Sequence, residues 1–211
     1  MKILFDFDDV LFNTGDFVRD LVSIFKENGI SGKEHRYFCD RYYKQGCFDG
    51  EPCFSLEKYL EFLRKKNISN IDAIKSQCDE MFCDLSQYIF DDVLEFLKNN
   101  NGYSLGVLTF GDDDFQKIKI AKSGIEGFFD DVFVVQGKKS DVLRELKNSI
   151  DGDIFFLDDR VENLADIKKS FGEIKTFLVD RPEGRYDDKK SECCDYSIRN
   201  FRELEEILNK K

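Results

Sequence analysis

Short runs of hydrophobic residues recur along this chain, separated by segments whose apolar positions repeat with helical spacing. The runs are too short for helices and predict five strands, with the last segment as a candidate sixth. These are residues 2–7, 103–110, 132–135, 153–157, 174–179 and 196–198. Strands that alternate with helices indicate a parallel sheet covered on both faces. We therefore predict an α/β fold, a Rossmann-like three-layer α/β/α arrangement.

One long segment breaks this alternation. Between residues 15 and 88 the apolar spacing predicts successive helices and no strand. The predicted helix stripes are Val18, Leu21, Val22 and Phe25, then Leu56, Tyr59, Leu60 and Leu63, then Ile71, Ile74, Cys78, Met81, Phe82 and Leu85. We therefore predict an all-helical cap at residues 15–88, inserted into a core domain that comprises residues 1–14 and 89–211. Further helices are predicted at 91–98, 115–122, 141–147 and 162–169, and after an Asn200 cap.

Polar residues stand where three of the predicted strands end, and ligands of parallel sheets bind at that edge. These residues are Asp6 and Asp8, then Thr109 with Phe110 and Gly111, then Asp158 and Asp159. Several carboxylates in one crevice require a neutralising cation. Oxygen ligands without neighbouring His or Cys favour Mg2+. Asp6 and Asp8 lie two residues apart on one side of a strand, which suits a nucleophile and an acid/base.

Four segments resemble the motifs of the haloacid dehalogenase-like (HAD) hydrolase superfamily, and they occur in its order. FDFDDVLF at residues 5–12 is similar to the first motif, D-x-D-x-[TV]-L, and LGVLT at 105–109 to the second. QGKKSDVL at 136–143 resembles the third motif and FFLDD at 155–159 the fourth. The insertion after the first motif resembles the C1-type helical cap in position and length. Asp9 stands where many relatives have Gly.

The resemblance implies a mechanism for these residues. Asp6 attacks phosphorus to give an aspartyl-phosphate, and Asp8 protonates the departing alkoxide and then activates water. Thr109 and the neighbouring backbone N–H groups, at Phe110 and Gly111, hold the phosphoryl oxygens. A lysine of the third motif, Lys138 or Lys139, offsets their charge, and the spacing favours Lys139. Asp6, the Asp8 main-chain carbonyl, and Asp158 or Asp159 hold Mg2+, and we expect the other acid of that pair to cap the following helix.

The function expected from this resemblance is a Mg2+-dependent phosphatase that acts on a small phosphorylated metabolite beneath a closing cap. A phosphomutase would keep all four motifs, so only product analysis separates it. A 2-haloacid dehalogenase also uses an aspartate nucleophile but needs no Mg2+ site, and the retained Asp8, Asp158 and Asp159 argue against it. A non-catalytic module that binds a phosphorylated ligand or a partner would be expected to lose Asp6 or Asp8. Residues 45–52 are the predicted specificity loop.

Composition narrows the classes of partner. The 211 residues include 43 acidic and 32 basic side chains, a net charge of −11, which opposes general binding to a nucleic-acid polymer. No apolar run approaches the length of a membrane span, and the N-terminus does not resemble a secretory signal. Seven cysteines without regular spacing indicate reduced thiols in a cytoplasmic protein. Cys39, Cys47 and Cys53 lie near His35, but their spacing is not that of a zinc site. The oligomeric state is left open.

Overall fold

A six-stranded parallel sheet forms the centre of the molecule. The computed structural model describes residues 1–44, 54–99, 102–147 and 152–210. The strands are β1 (Lys2–Phe5), β2 (Ser104–Phe110), β3 (Asp131–Val135), β4 (Ile154–Asp158), β5 (Lys175–Val179) and β6 (Tyr196–Ile198). Their order is β3-β2-β1-β4-β5-β6, with every pair parallel. The predicted α/β class, the five predicted strands and the candidate sixth are confirmed, with end shifts of one or two residues.

Helices connect the strands. Those of the described residues are α1 (Thr14–Glu27), α2 (Gly32–Lys44), α3 (Leu56–Lys65), α4 (Ile71–Met81), α5 (Asp91–Lys98), α6 (Asp113–Lys122), α7 (Lys139–Leu146), α8 (Val161–Ser170) and α9 (Phe201–Leu208). Helices α1 to α4 follow β1 directly, where the sequence predicts the insertion. Asn200 caps α9 as predicted, because its side chain accepts a hydrogen bond from the Glu203 N–H at 3.1 Å.

One apolar cluster joins the sheet to the inserted helices. It includes Phe5 of β1 and Phe96 of α5, and it continues through Phe17 of α1 to Tyr59 of α3. Phe5 is fully buried in it and is stacked on Phe201 with ring centroids 5.5 Å apart. The inserted helices therefore share buried apolar surface with the sheet, and the division into a core and a cap at residues 14 and 88 stays a prediction.

Helix α1 is rotated relative to its predicted stripe. The residues it buries are Thr14, Phe17, Leu21 and Phe25. Val18 is 39% exposed and Val22 is half-buried, so Val18 is wrong as a core position. The rotation places the Phe17 ring 5.4 Å from that of Phe12, measured between centroids. Burying this larger side chain removes more apolar area from water than burying valine.

Other sequence predictions concern membranes and thiols. Within the described residues, no helix combines the length and apolar character needed to cross a bilayer. The cysteines described there, Cys39, Cys78, Cys83, Cys193 and Cys194, all carry free thiols. The Cys39 Sγ lies 3.5 Å from the His35 Nε2. Cys47, Cys53 and the predicted specificity loop at 45–52 lie outside the described residues.

We expect replacement of Phe5 to test the centre of the shared cluster. Phe5→Ala removes a fully buried ring and should lower the free energy of unfolding by about 3–5 kcal/mol. The matched control is Ile118→Ala, at a 44% exposed position, which should change it by no more than about 0.5 kcal/mol. Urea unfolding measures both, and equal effects of the two substitutions would contradict this description of the core.

Candidate active site

Strand register brings two acidic residues together at one edge of the sheet. Phe5 of β1 pairs with Leu157 of β4, and the next backbone N–H, that of Asp6, donates to the Leu157 carbonyl at 2.8 Å. Asp158 therefore lies beside Asp6, at the carboxyl ends of adjacent parallel strands. Both side chains are buried.

A lysine ammonium bridges the two carboxylates. Lys139, the first residue of α7, places its Nζ 3.0 Å from Asp6 Oδ1 and 2.6 Å from Asp158 Oδ2. Burial opposes the charge of Lys139, but Asp158 and Asp6 outweigh it and raise its pKa above the ordinary lysine value. Lys138 is exposed and pairs with Asp166 at 3.3 Å. Of the two motif lysines, only Lys139 contacts Asp6.

Asp6, Asp158 and Asp159 form a cluster with the donor atoms of a hard metal site. Each offers one carboxylate oxygen, and these oxygens lie within 4.8 Å of one another. Burial is the main cause that raises the pKa of Asp6 to about 6 and that of Asp159 to about 9, and the neighbouring carboxylates add to it. The buried Asp159 Oδ2 has no hydrogen-bond partner among the described residues, which fits an oxygen that binds a cation. The donor set and this orphaned atom fit Mg2+.

Asp158 and Asp159 differ in how far their oxygens are already bonded. Asp158 accepts from Lys139, from the Arg160 backbone N–H at 2.8 Å and from Asn163 Nδ2 at 3.0 Å. Its carboxylate is therefore held rigidly, whereas Asp159 keeps an unbonded oxygen.

Neither acid caps helix α8, which corrects a sequence-based expectation. The N–H of Val161, the first residue of α8, donates instead to Asp188 Oδ2 at 2.8 Å. The Arg160 N–H that Asp158 accepts lies one residue before the helix. The cap comes from 27 residues further along the chain, so the strand-end acids are left to the site.

Asp8 does not join the acid cluster. Its Oδ1 accepts from the Thr14 hydroxyl at 2.6 Å and from Lys119 Nζ at 2.5 Å, and its Oδ2 accepts from Gln116 Nε2 at 2.8 Å. Burial alone would raise the pKa of Asp8, but Lys119, Gln116 and Thr14 outweigh it and hold the pKa well below the ordinary value. Asp8 is therefore ionised at neutral pH. Its contribution to a metal through the main-chain carbonyl stays a prediction.

The partner of Asp8 is a buried lysine among aromatic rings. Lys119 Nζ lies 5.0 Å from the centroid of Phe12, and Phe7, Phe17 and Phe115 surround it at 5.3–5.7 Å. Ring faces stabilise the cation where water cannot. At Gly111, a Cβ would lie 2.7 Å from the Gln116 side chain, so glycine lets Gln116 reach Asp8.

Asp9 carries its own cation. It is fully buried with φ 57°, a left-handed backbone conformation that Asp tolerates better than most residues. Arg185 Nε lies 2.6 Å from Asp9 Oδ2. An acid can therefore stand where many relatives have Gly, because an arginine pairs with it.

Two cavities meet at these residues. The larger, about 700 Å³, is lined by Asp6, Asp8, Thr109, Phe110, Gly137, Lys138, Lys139, Asp159, Arg160, Glu162, Asn163, Asp166, Arg185 and Tyr186. The smaller, about 270 Å³, shares Asp8, Phe110 and Arg185 with it, and Gly111 lines this one. The predicted residues Asp6, Asp8, Thr109, Lys139 and Asp159 thus face one cavity, with Asp158 buried behind them.

Sequence reasoning missed the groups that hold Asp8 and Asp9. Lys119 follows Phe115 by four residues and therefore lies on the same face of a predicted helix. A charged residue on that apolar face is the one sequence feature that could have pointed to Lys119. Gln116 and Thr14 carry no comparable signal. Arg185 lies in a polar segment after β5, 176 residues from its partner Asp9, and no spacing rule connects the two.

Solved structures of similar fold give the context for this site. A protein of Burkholderia xenovorans assigned to the haloacid dehalogenase-like hydrolases matches with a TM-score of 0.75 at 19% identity, over 99% of this chain and 96% of that one. A protein of Bacillus subtilis that is assigned as a HAD hydrolase and is bound to magnesium matches with a TM-score of 0.64 at 15% identity, over 99% of this chain and 98% of that one. An L-2-haloacid dehalogenase of Xanthobacter autotrophicus, with chloropropionic acid covalently bound, matches with a TM-score of 0.65 at 12% identity, over 99% of this chain and 98% of that one.

No protein-family model and no curated protein sequence matches the chain. The likeness is therefore one of architecture, and it extends over nearly the whole length of each partner. The chain has the fold of the haloacid dehalogenase-like hydrolases.

Proposed function

We propose that this protein is a Mg2+-dependent phosphatase that cleaves a small phosphorylated metabolite through an aspartyl-phosphate. The observation that carries the proposal is the convergence of Asp6, Lys139 and two further carboxylates at a cavity that Thr109 also lines. Phosphoryl transfer depends on positioning and charge neutralisation, and this arrangement offers both.

Asp6 is the nucleophile in this proposal. Its Oδ1 accepts from the Phe7 N–H at 2.8 Å and pairs with Lys139, which leaves Oδ2 to attack phosphorus. The new bond joins Oδ2 to phosphorus while the bond from phosphorus to the ester oxygen breaks, and the leaving group takes its electron pair. Lys139 and the Thr109 hydroxyl, with nearby backbone N–H groups, bind the phosphoryl oxygens.

Asp8 is the general acid and base in this proposal. In the second step its carboxylate takes a proton from water, which attacks the phosphorus of the aspartyl-phosphate and releases phosphate. The low pKa of Asp8 keeps its carboxylate ionised and so able to accept a proton, and release of the Lys119 contact would raise its basicity. In the first step Asp8, which is ionised in the free protein, must take a proton from solvent as its contact with Lys119 is released, and it then passes that proton to the departing oxygen.

A bound Mg2+ supplies positive charge that screens the phosphoryl oxygens from the carboxylates. Asp6 and Asp159 would hold it, and Asp158 would complete the acidic set. Lys139 contacts both Asp6 and Asp158 and so fixes their relative position before an ion binds.

Three other functions are distinguished by their products. A phosphomutase would return a phosphorylated isomer and little free phosphate. A dehalogenase, the activity that the Xanthobacter neighbour is named for, would release chloride from 2-chloropropionate. A binding module would retain phosphorylated ligands unchanged. Assays for phosphate, for halide and for isomers on the same preparation separate all of these from a phosphatase.

Replacement of the nucleophile tests the proposal directly. We expect Asp6→Asn to lower phosphate release across a panel of phosphorylated metabolites by at least about a thousandfold, because a neutral amide is too weak a nucleophile to form the acyl phosphate. EDTA should abolish the release and excess Mg2+ restore it. The matched control is Asp187→Asn, at an exposed carboxylate, which should keep full activity. Release that persists with EDTA or in Asp6→Asn would refute the mechanism.

Mg2+ binding should release a proton. The raised pKa of Asp159, about 9, keeps this carboxylate protonated at neutral pH. A bound ion needs the same carboxylate ionised, so binding should displace the proton. Titration calorimetry at pH 7.5 in buffers of different ionisation enthalpy should show about one proton released per ion. The release should vanish above about pH 9 and in Asp159→Asn. Ion binding to the wild type without proton release would contradict the raised pKa.

Lys119 should act on the reaction by positioning Asp8. Lys119→Met keeps an unbranched side chain among the four rings but removes the cation, so kcat should fall by about 10–100-fold with little change in KM. Lys122→Met, at an exposed position on the same helix, is the control and should leave kcat unchanged. Circular dichroism verifies that both variants fold, and an unchanged kcat in folded Lys119→Met would exclude this role.

A further inference from the structure

The smaller cavity adjoins the reaction centre at the proton-transferring residue. It shares Asp8, Phe110 and Arg185 with the larger cavity, and its remaining lining lies away from Asp6 and Lys139. A phosphoryl group at Asp6 would direct its ester oxygen toward Asp8, since Asp8 gives that oxygen its proton. The group attached to the oxygen then lies in the smaller cavity.

The walls of this pocket are mainly apolar. Helix α1 contributes Phe17, Val18, Leu21 and Val22, and Phe54, Phe110 and Phe115 complete the apolar lining. Val18 is 39% exposed and Val22 half-buried, so α1 turns a valine surface toward the pocket rather than into the protein core. Such a surface gains free energy when an apolar ligand covers it.

The polar side chains in the lining are already engaged by other side chains. Thr14, Gln116 and Lys119 all bond to Asp8. His35 Nδ1 lies 3.1 Å from the Tyr59 hydroxyl, and His35 Nε2 contacts Cys39.

Two charged residues complete the polar lining. Asp112 Oδ1 accepts from the Phe115 N–H at 3.0 Å. Arg185 binds Asp9 through Nε, and it lies where the two cavities meet. Its outer nitrogens can bind the phosphoryl group there.

We propose that this pocket receives the leaving group of the substrate and that the leaving group is a compact, uncharged apolar one, such as a short alkyl chain or a single ring. The inference rests on the proposed phosphatase function and names its substrate class. A sugar hydroxyl would give up its water and find these polar partners occupied, which costs free energy. An acidic leaving group would find no uncommitted cation among the described lining residues, because Lys119 is paired with Asp8 and Arg185 with Asp9.

Alkylphosphonates test the pocket without catalysis, because their carbon–phosphorus bond offers no ester oxygen to expel. Calorimetric titration of the Mg2+-loaded protein with methyl-, propyl- and pentylphosphonate should show Kd falling about fourfold per added methylene. Dihydroxypropylphosphonate, which matches propylphosphonate in chain length, should bind more weakly than it. Equal Kd along the alkyl series, or tighter binding of the dihydroxy compound, would overturn the inference.

Two variants locate the effect. Val18→Asp should reduce the ratio of the methyl to the pentyl Kd at least severalfold, because it places a charge in the apolar wall. Ile118→Asp, at a similarly exposed apolar residue that does not line the pocket, should retain the wild-type ratio. Equal ratios in the two variants would overturn the assignment of this pocket.

Acetyl phosphate, whose leaving group is too small to need the pocket, tests the proposed function separately. If the wild-type protein hydrolyses acetyl phosphate but binds all the alkylphosphonates with the same Kd, the leaving-group assignment is overturned and the proposed phosphatase function stands. No hydrolysis of this or any other phosphate compound overturns the proposed function and, with it, the leaving-group assignment.

Discussion

Charge balance at the ends of two adjacent strands is the constraint on which the site depends. Asp6, Asp158 and Asp159 bring three carboxylates together, and Lys139 supplies one ammonium, which leaves a net charge of −2 when all are ionised. A buried excess of this kind costs several kcal/mol per uncompensated charge. Protons can reduce it, as the raised pKa values of Asp6 and Asp159 indicate, but one divalent cation cancels it fully. The fold thus holds a site whose charge fits Mg2+.

The acids that follow β1 are each matched by a cation from a different later element. Lys139 at the start of α7 pairs with Asp6, Lys119 in α6 with Asp8, and Arg185 beyond β5 with Asp9. A chain with net charge −11 therefore concentrates cations where its strand-end acids lie. Each pairing also fixes a direction, so three acids within four residues point to three separate partners. Separate directions allow neighbouring carboxylates to do different chemistry.

How much the sequence predicts depends on whether an interaction is local or set by distant packing. The strands, and the convergence of Asp6 with Asp158, follow from short apolar runs and from the shared edge of parallel strands. The rotation of α1 does not, because Phe17 and Val18 are both apolar and only the surrounding rings decide which is buried. The α8 cap is likewise beyond local rules, since Asp188 arrives from a later loop and displaces the expected strand-end acids. Lys119 shows the same limit, as its partner lies 111 residues away.

Asp6 and Asp8 are separated by a single residue, yet their pKa values shift in opposite directions. Burial raises the pKa of Asp6, and the neighbouring acids add to this effect, while Lys139 only partly offsets it. Asp8 is also buried, but it accepts from three donors, which lower its pKa. A proton would therefore compete at Asp6 with any bound cation, while Asp8 stays ionised. Asp8 is also bonded to Thr14, the first residue of α1, the helix whose later turns form the apolar wall of the smaller pocket. Any displacement of α1 would move the wall and one donor to Asp8 together, which, in the proposed reaction, would couple the fit of a leaving group to the proton transfer that releases it.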